Sequence, residues 1–219
     1  MLLSKLEFGS FFSYCPRGES ELIRRSQTWR DLIKYNKILT STTLTSNQYL
    51  AEMLFKFLTK ASTSPLHRIF DPSTILVPVP KSSLQLRNSL WVPERIANAL
   101  VKQGLGKQVA PILKRISSIP KAAFCSPGQR PLASKNYESL RVMRLLEVPE
   151  KILVVDDVIT RGATILGSAS KIFDVYPGAK ISAFAMLRTM SNPSEFESIV
   201  DPCVGEIELQ SDGTTVRRP

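Results

Sequence analysis

The sequence predicts an α/β fold: a mostly parallel sheet flanked by helices, preceded by a helical N-terminal segment. Three observations carry this. The apolar run Lys151–Val155 is followed by a turn, a helical stretch from Ala163 to Tyr176, and a second strand-like run over Lys180–Leu187. Strand, helix, strand in that order makes a βαβ unit with parallel strands. Another short apolar run, Ile75-Leu76-Val77-Pro78-Val79, ends at Pro80-Lys81 and reads as a further buried strand. Ahead of it, 20–39 and 47–60 carry apolar residues at near-helical spacing: Leu22, Ile23, Trp29 and Ile33, then Tyr49, Leu50, Met53, Leu54, Phe57 and Leu58.

These elements divide the chain into a helical hood over 1–70 and an α/β domain over 71–219. Ser46 or Asn47 is positioned to cap the second helix, and Pro65 and Pro72 close the helical part. Glu94–Gln103 is an amphipathic helix led by Pro93, which suits a first helical turn. Val109–Leu113 reads as a short strand and 115–137 as a long loop, of a length usually functional or disordered in compact domains. A helix or turn is expected over 137–146, and Glu206–Leu209 reads as a last edge strand closed by Asp212-Gly213.

Composition excludes several classes. The 219 residues are 43% hydrophobic, enough for a real core. The longest apolar runs are short, whereas a membrane-crossing helix needs about 20 residues. Met1–Lys5 shows no signal-peptide pattern, so a cytoplasmic location is expected. Cys15, Cys125 and Cys203 are too scattered for a disulfide framework or a four-cysteine zinc site, and the single His67 argues against a Ser-His-Asp triad. The net charge of +10, from 29 Lys+Arg against 19 Asp+Glu, suits a polyanionic partner. Because the basic residues are dispersed, charge alone does not decide between nucleic acid and a phosphorylated small molecule.

The segment Ile152–Thr164 concentrates the chemistry. Four apolar residues bury a central strand, and Asp156-Asp157 follow at its C-terminal end, where open α/β sheets bind ligands. Thr160-Arg161-Gly162 then leads into a helix N-terminus, whose free N–H groups and positive dipole end attract an anion. Gly162 permits close backbone approach, and Thr160 and Thr164 add hydroxyls. The adjacent carboxylates repel each other unless something cationic or hydrogen-bonding relieves them; a ribose diol with Mg²⁺ does both. The competing reading makes the acids cap residues and Gly162 an ordinary turn glycine, but each half accounts for one piece only.

Strand, acid pair and phosphate turn together resemble the phosphoribosyl pyrophosphate (PRPP) signature of the phosphoribosyltransferase family, and within it the ComF-like, amidophosphoribosyltransferase-like branch. The resemblance covers about residues 74–190. Val77-Pro78-Val79-Pro80-Lys81 takes the place of the family's pyrophosphate loop, and Leu113-Lys114-Arg115 through Gln129-Arg130 that of its mobile catalytic loop. Two features depart from it: the cysteine zinc module of ComF-like proteins is absent, and Arg161 replaces the second Thr of the usual Thr-Thr-Gly.

The resemblance implies a Rossmann-like phosphoribosyltransferase fold and a Mg²⁺-dependent transfer of ribose 5-phosphate from PRPP to a nitrogenous acceptor. It implies that Asp156 and Asp157 hold the ribose hydroxyls and the metal, and that Val158, Ile159, Thr160, Arg161, Gly162, Ala163 and Thr164 cradle the 5-phosphate. Val79, Pro80 and Lys81 face pyrophosphate, with a solvated loop lysine as the competing reading for Lys81. Arg115, Lys121 and Arg130 are candidates to close over it, and Arg87 to lie near the mouth. The acceptor is not identified by the sequence; Ser13–Gly18 is a turn-like patch, and Phe12 or Tyr14 either stacks on a base or packs in the core.

Two rival classes stay open at this level. A ComF-like accessory protein that binds PRPP without turnover, with nucleic acid on its basic surface, would place Arg24, Arg25, Lys34, Lys37, Arg141 and Arg144 on one face. A phosphohydrolase or kinase is disfavoured, since no P-loop pattern is present. A homodimer is the default expectation for assembly.

Overall fold

The computed structural model describes residues 1–40, 42–86, 89–121 and 125–219. The chain opens with a strand: β1 (Lys5–Tyr14) is buried along nearly its whole length. The expected helical hood over 1–70 therefore divides, its first segment joining the sheet and the rest forming helices. Phe8 packs into the core on one face of the sheet, and Phe11 and Phe12 into the core on the other. A strand covered on both faces loses the alternation that betrays a half-buried one. Ser10 and Ser13, fully buried, break the apolar run further.

Helix α1 (Glu21–Tyr35) starts where the Ser20 hydroxyl accepts the Ile23 N–H and stops at Asn36 in the left-handed conformation. Helix α2 (Ser46–Lys60) is capped one residue earlier than expected, at Thr45, whose N–H the Gln48 side chain accepts at 2.9 Å. Then come β2 (Ile75–Pro78), α3 (Val92–Lys102) and the two-residue β3 (Gln108–Val109). The strand expected over Val109–Leu113 splits: β4 (Leu113–Arg115) leaves the main sheet and pairs antiparallel with β5 (Leu140–Val142). Between them α4 (Ala133–Glu138) takes the end of the expected loop, and β5 occupies part of the expected 137–146 helix or turn.

The remaining elements are β6 (Lys151–Ile159), α5 (Ala163–Phe173), β7 (Lys180–Thr189), β8 (Val200–Leu209) and β9 (Thr215–Arg218). The edge strand expected at Glu206–Leu209 is thus longer, and β9 follows it. The main sheet has seven strands in the order β3-β2-β6-β7-β1-β8-β9. From β3 to β1 all neighbours are parallel; β8 and β9 are added antiparallel. Along β6 the side chains alternate between two cores: Leu153 and Val155 join α1, α2 and α3, while Ile152 and Val154 join α5 and the β4–β5 ribbon. Helices thus cover both faces of a mostly parallel sheet. No described helix is long and apolar enough to cross a membrane.

Candidate functional site

β6 runs four residues beyond its expected end, so its C-terminal part carries both acids. Asp156 stands in register with Ala185 of β7, Val158 with Leu187 and Ile159 with Arg188. Val158 and Ile159, expected in the phosphate loop, therefore belong to the strand, and Ile159 is buried. The turn proper is Thr160-Arg161-Gly162. Gly162 caps α5 with φ of +90°, and a Cβ there would lie 2.7 Å from the Ile207 side chain of β8. Conformation and space both require glycine. The first N–H bonded within α5 is that of Leu166, to Gly162 O at 2.8 Å. The N–H groups of Ala163, Thr164 and Ile165 thus have no partner inside the helix. Thr160 and Arg161 are exposed; Ala163 and Thr164 are half-buried.

The acid pair is electrostatically tense. Asp156 is 9% exposed, and its carboxylate accepts the Asp157 N–H at 2.9 Å, while that of Asp157 accepts the Val158 N–H at 2.9 Å. Burial pushes the Asp156 carboxyl well above the ordinary carboxylate range, the Asp157 charge adds to this, and Lys34 of α1 acts against it. Two adjoining carboxylates, one held toward its protonated form by desolvation, fit a divalent cation or a ribose diol, either of which relieves the repulsion. Among the described residues no cluster of three or more His, Cys, Asp or Glu surrounds them. A metal here would draw its other ligands from substrate oxygens and water, as Mg²⁺ commonly does.

The 79–82 loop adjoins the same strand end, since the Val79 N–H donates to Val155 O at 2.9 Å. Arg115, a candidate to close over pyrophosphate from a mobile segment, sits instead on β4 and is 7% exposed. Its Nε donates to Lys81 O at 2.8 Å and its Nη2 to Pro80 O at 3.3 Å, while Nη1 bonds the Ser139 hydroxyl. Burial lowers its pKa to about 10, the Asp156 charge acting in the other direction. The guanidinium thus holds the loop from behind. Trp91, just before α3, adds a second tie by donating its indole N–H to Val79 O at 2.7 Å. Neither Trp91 nor Ser139 was marked by the sequence; a tryptophan beside a loop, with one N–H needing a partner, is the only local hint.

Lys81 is half-buried, and its pKa is lowered by burial first and by the charge of Lys121 second. The two lysines therefore share one neighbourhood, a positive pole beside the loop. Arg130 is half-buried after a short 3-10 turn at Pro127–Gln129. Arg87 lies outside the described residues. Phe12 is 1% exposed, stacked on Phe11 at 5.1 Å and edge-on to Trp29 at 5.8 Å, so it is a core residue. Tyr14 is likewise buried, with Arg30 at 5.8 Å from its ring.

The six basic residues that would mark a nucleic-acid face are divided between two elements. Arg24, Arg25 and Lys34 ride on α1 with Lys37 just after it, and α1 packs against one core. Arg141 lies on β5 with Arg144 just after it, and β5 packs against the core on the other face.

No protein-family model matches the chain, and no curated protein matches it by sequence. Among solved structures it is similar to a hypoxanthine phosphoribosyltransferase from Staphylococcus aureus, with a TM-score of 0.31 and 12% identity over 71% of this chain and 68% of that one. It is also similar to a Trypanosoma cruzi hypoxanthine phosphoribosyl transferase, with a TM-score of 0.33 and 12% identity over 80% of this chain and 83% of that one. A third similar structure is a glutamic acid mutant at an invariant aspartic acid of an HPRT, with a TM-score of 0.31 and 11% identity over 85% and 93%.

Proposed function

We propose that this protein is a phosphoribosyltransferase that binds PRPP with Mg²⁺ and transfers its ribose 5-phosphate to a nitrogenous acceptor, releasing pyrophosphate. One observation carries this reading. A tense acid pair, an anion-ready turn opening α5, and a lysine-bearing loop tied to the same strand all meet at the C-terminal end of β6. The order along the strand end suits a sugar carrying a phosphate at each end: a diol site at the acid pair, with an anion-binding turn and a lysine-bearing loop adjoining it.

In this reading Asp156 and Asp157 hold the ribose hydroxyls and the metal. The N–H groups of Arg161 to Thr164, with the Thr160 and Thr164 hydroxyls, take the 5-phosphate, while Lys81, near Lys121, faces pyrophosphate. Arg115 positions the Pro80-Lys81 backbone. When bound, Mg²⁺ supplies charge neutralisation for the phosphate oxygens. As the C1–O bond breaks, positive charge develops on the ribose ring and negative charge on pyrophosphate; the two carboxylates lie on the ring's side and the lysines on the leaving group's. No protein nucleophile is needed. The nucleic-acid reading called for Arg24, Arg25, Lys34, Lys37, Arg141 and Arg144 on one face, whereas these six are divided between α1 and β5, which pack against different cores.

The test is calorimetry of PRPP with Mg²⁺ on the wild type and on an Asp156→Asn/Asp157→Asn double variant. Saturable binding lost in the variant supports the reading, and turnover screens with nucleobases and amines then separate an enzyme from a PRPP-binding accessory protein. A folded wild type that ignores millimolar PRPP refutes it.

A further inference from the structure

The turn that opens α5 is held from the far edge of the sheet. Arg217 lies on β9, separated from β6 by three strands in the sheet order. Its side chain runs back across the sheet with Cζ 5.8 Å from the Phe8 ring. There Nε donates to Thr160 O at 3.1 Å and Nη2 to Thr189 O at 2.8 Å. The hydroxyls of Thr160 and Thr189 meet at 3.1 Å, so the guanidinium clamps a point where the ends of two strands are already joined.

Thr160 O belongs to the peptide that links Thr160 to Arg161, the first of the turn. Among the described residues no peptide is cis, so the Arg161 N–H points away from Arg217, on the opposite side of the Thr160–Arg161 peptide. A cationic donor on the carbonyl polarises the unit and makes its N–H a better donor to an anion. The charge is also unbalanced. The neighbouring Arg188 is matched by the Asp201 carboxylate, but among the described residues no carboxylate pairs with Arg217, whose Nη1 is buried without a partner. Burial lowers the Arg217 pKa, and the Arg188 charge lowers it further. A half-buried cation placed beside another cation is unfavourable unless an anion is held nearby.

We propose that Arg217 is a positioning residue for the phosphate turn: without touching ligand it sets the Thr160–Arg161 peptide and places an unmatched positive charge behind it, favouring a dianionic phosphate monoester. This rests on the phosphoribosyl reading above. The test compares wild type, Arg217→Ala and Arg217→Lys by calorimetry with ribose 5-phosphate and, separately, with pyrophosphate, alongside thermal melts. Arg217→Ala should bind ribose 5-phosphate about tenfold more weakly while pyrophosphate changes less than about twofold. Arg217→Lys, which keeps the charge but loses the planar fork that reaches the two carbonyls from separate nitrogens, should fall between, and it carries the test if the alanine variant does not fold. Unchanged ribose 5-phosphate binding, or parallel loss of both ligands with a lowered Tm, overturns the positioning role while leaving the phosphoribosyl reading standing. A wild type that binds neither ribose 5-phosphate nor PRPP overturns both, and it does so without reference to any Arg217 variant.

Discussion

Two loops adjoin the C-terminal end of β6, and each is held by an arginine from a strand remote in sequence. Arg115 of β4 grips the carbonyls of Pro80 and Lys81; Arg217 of β9 grips those of Thr160 and Thr189. The two differ in balance. Arg115 uses all three nitrogens and sits within the field of Asp156, an opposite charge. Arg217 leaves Nη1 unpartnered and sits near Arg188, a like charge. A buried cation with its bonds and countercharge complete behaves as structure; one left uncompensated is poised to favour an arriving anion. The first arginine therefore belongs to stability, the second to affinity.

That contrast breaks most visibly at Arg115. Replacing it with Met strips three acceptors of their donor and removes one of the cations in the field of Asp156, which should cost about 3 kcal/mol or more of stability in urea unfolding. If Arg115→Met unfolds like wild type but loses ligand, the assignment of roles is reversed. Lys81→Met probes the ligand side of the same loop. Loss of a charge-assisted contact should weaken pyrophosphate binding by about 10- to 100-fold with ribose 5-phosphate binding and Tm unchanged; equal weakening of both ligands would dissolve the distinction between the loops.

Asp156→Asn sharpens the point midway between them. Burial holds the Asp156 carboxyl above its unfolded value, so the folded chain binds this proton more tightly than the unfolded one. Its contribution to stability is complete below the unfolded pKa and is lost as pH rises through the folded one. The asparagine variant should therefore be the more stable protein by about 1–2 kcal/mol near pH 8, with the advantage vanishing toward pH 4, and it should bind PRPP poorly. Urea melts across that range read the effect; an advantage that grows on acidification would contradict it. The smallest change is expected from Trp91→Phe, which removes one donor from Val79 O and should cost about 1 kcal/mol while loosening pyrophosphate binding more than ribose 5-phosphate binding, as titrations with each would show.

The stretch from Lys151 to Thr189 was legible because its signals are local. A run of apolar residues, two acids, a turn glycine and a helical period follow one another within a single βαβ unit, and each constrains its neighbour along the chain. Its boundaries moved: pairing with β7 draws Val158 and Ile159 into the strand and carries β7 on to Thr189, which hydrogen bonding across the sheet decides and side-chain pattern does not, and α5 ends at Phe173, short of the expected Tyr176. β1 was not legible. Its Phe8 and Phe11 serve different cores, and a Cβ on Gly9 would lie 2.9 Å from Leu66, so the segment was chosen for fit to a crowded sheet centre and not for alternation.

The sequence by itself determined the fold class, the central strand, the acid pair beyond its apolar run and the glycine turn leading into α5, since each follows from residues adjacent along the chain. Tertiary structure alone decided that β1 joins the sheet between β7 and β8, that the basic residues are divided between two faces, and that Arg115, Trp91 and Arg217 brace the two loops. Arg115 lies 34 residues from the lysine whose carbonyl it holds, and Arg217 lies 57 from its threonine. Contacts at that separation leave no periodic trace, because they are made by packing after the local elements exist.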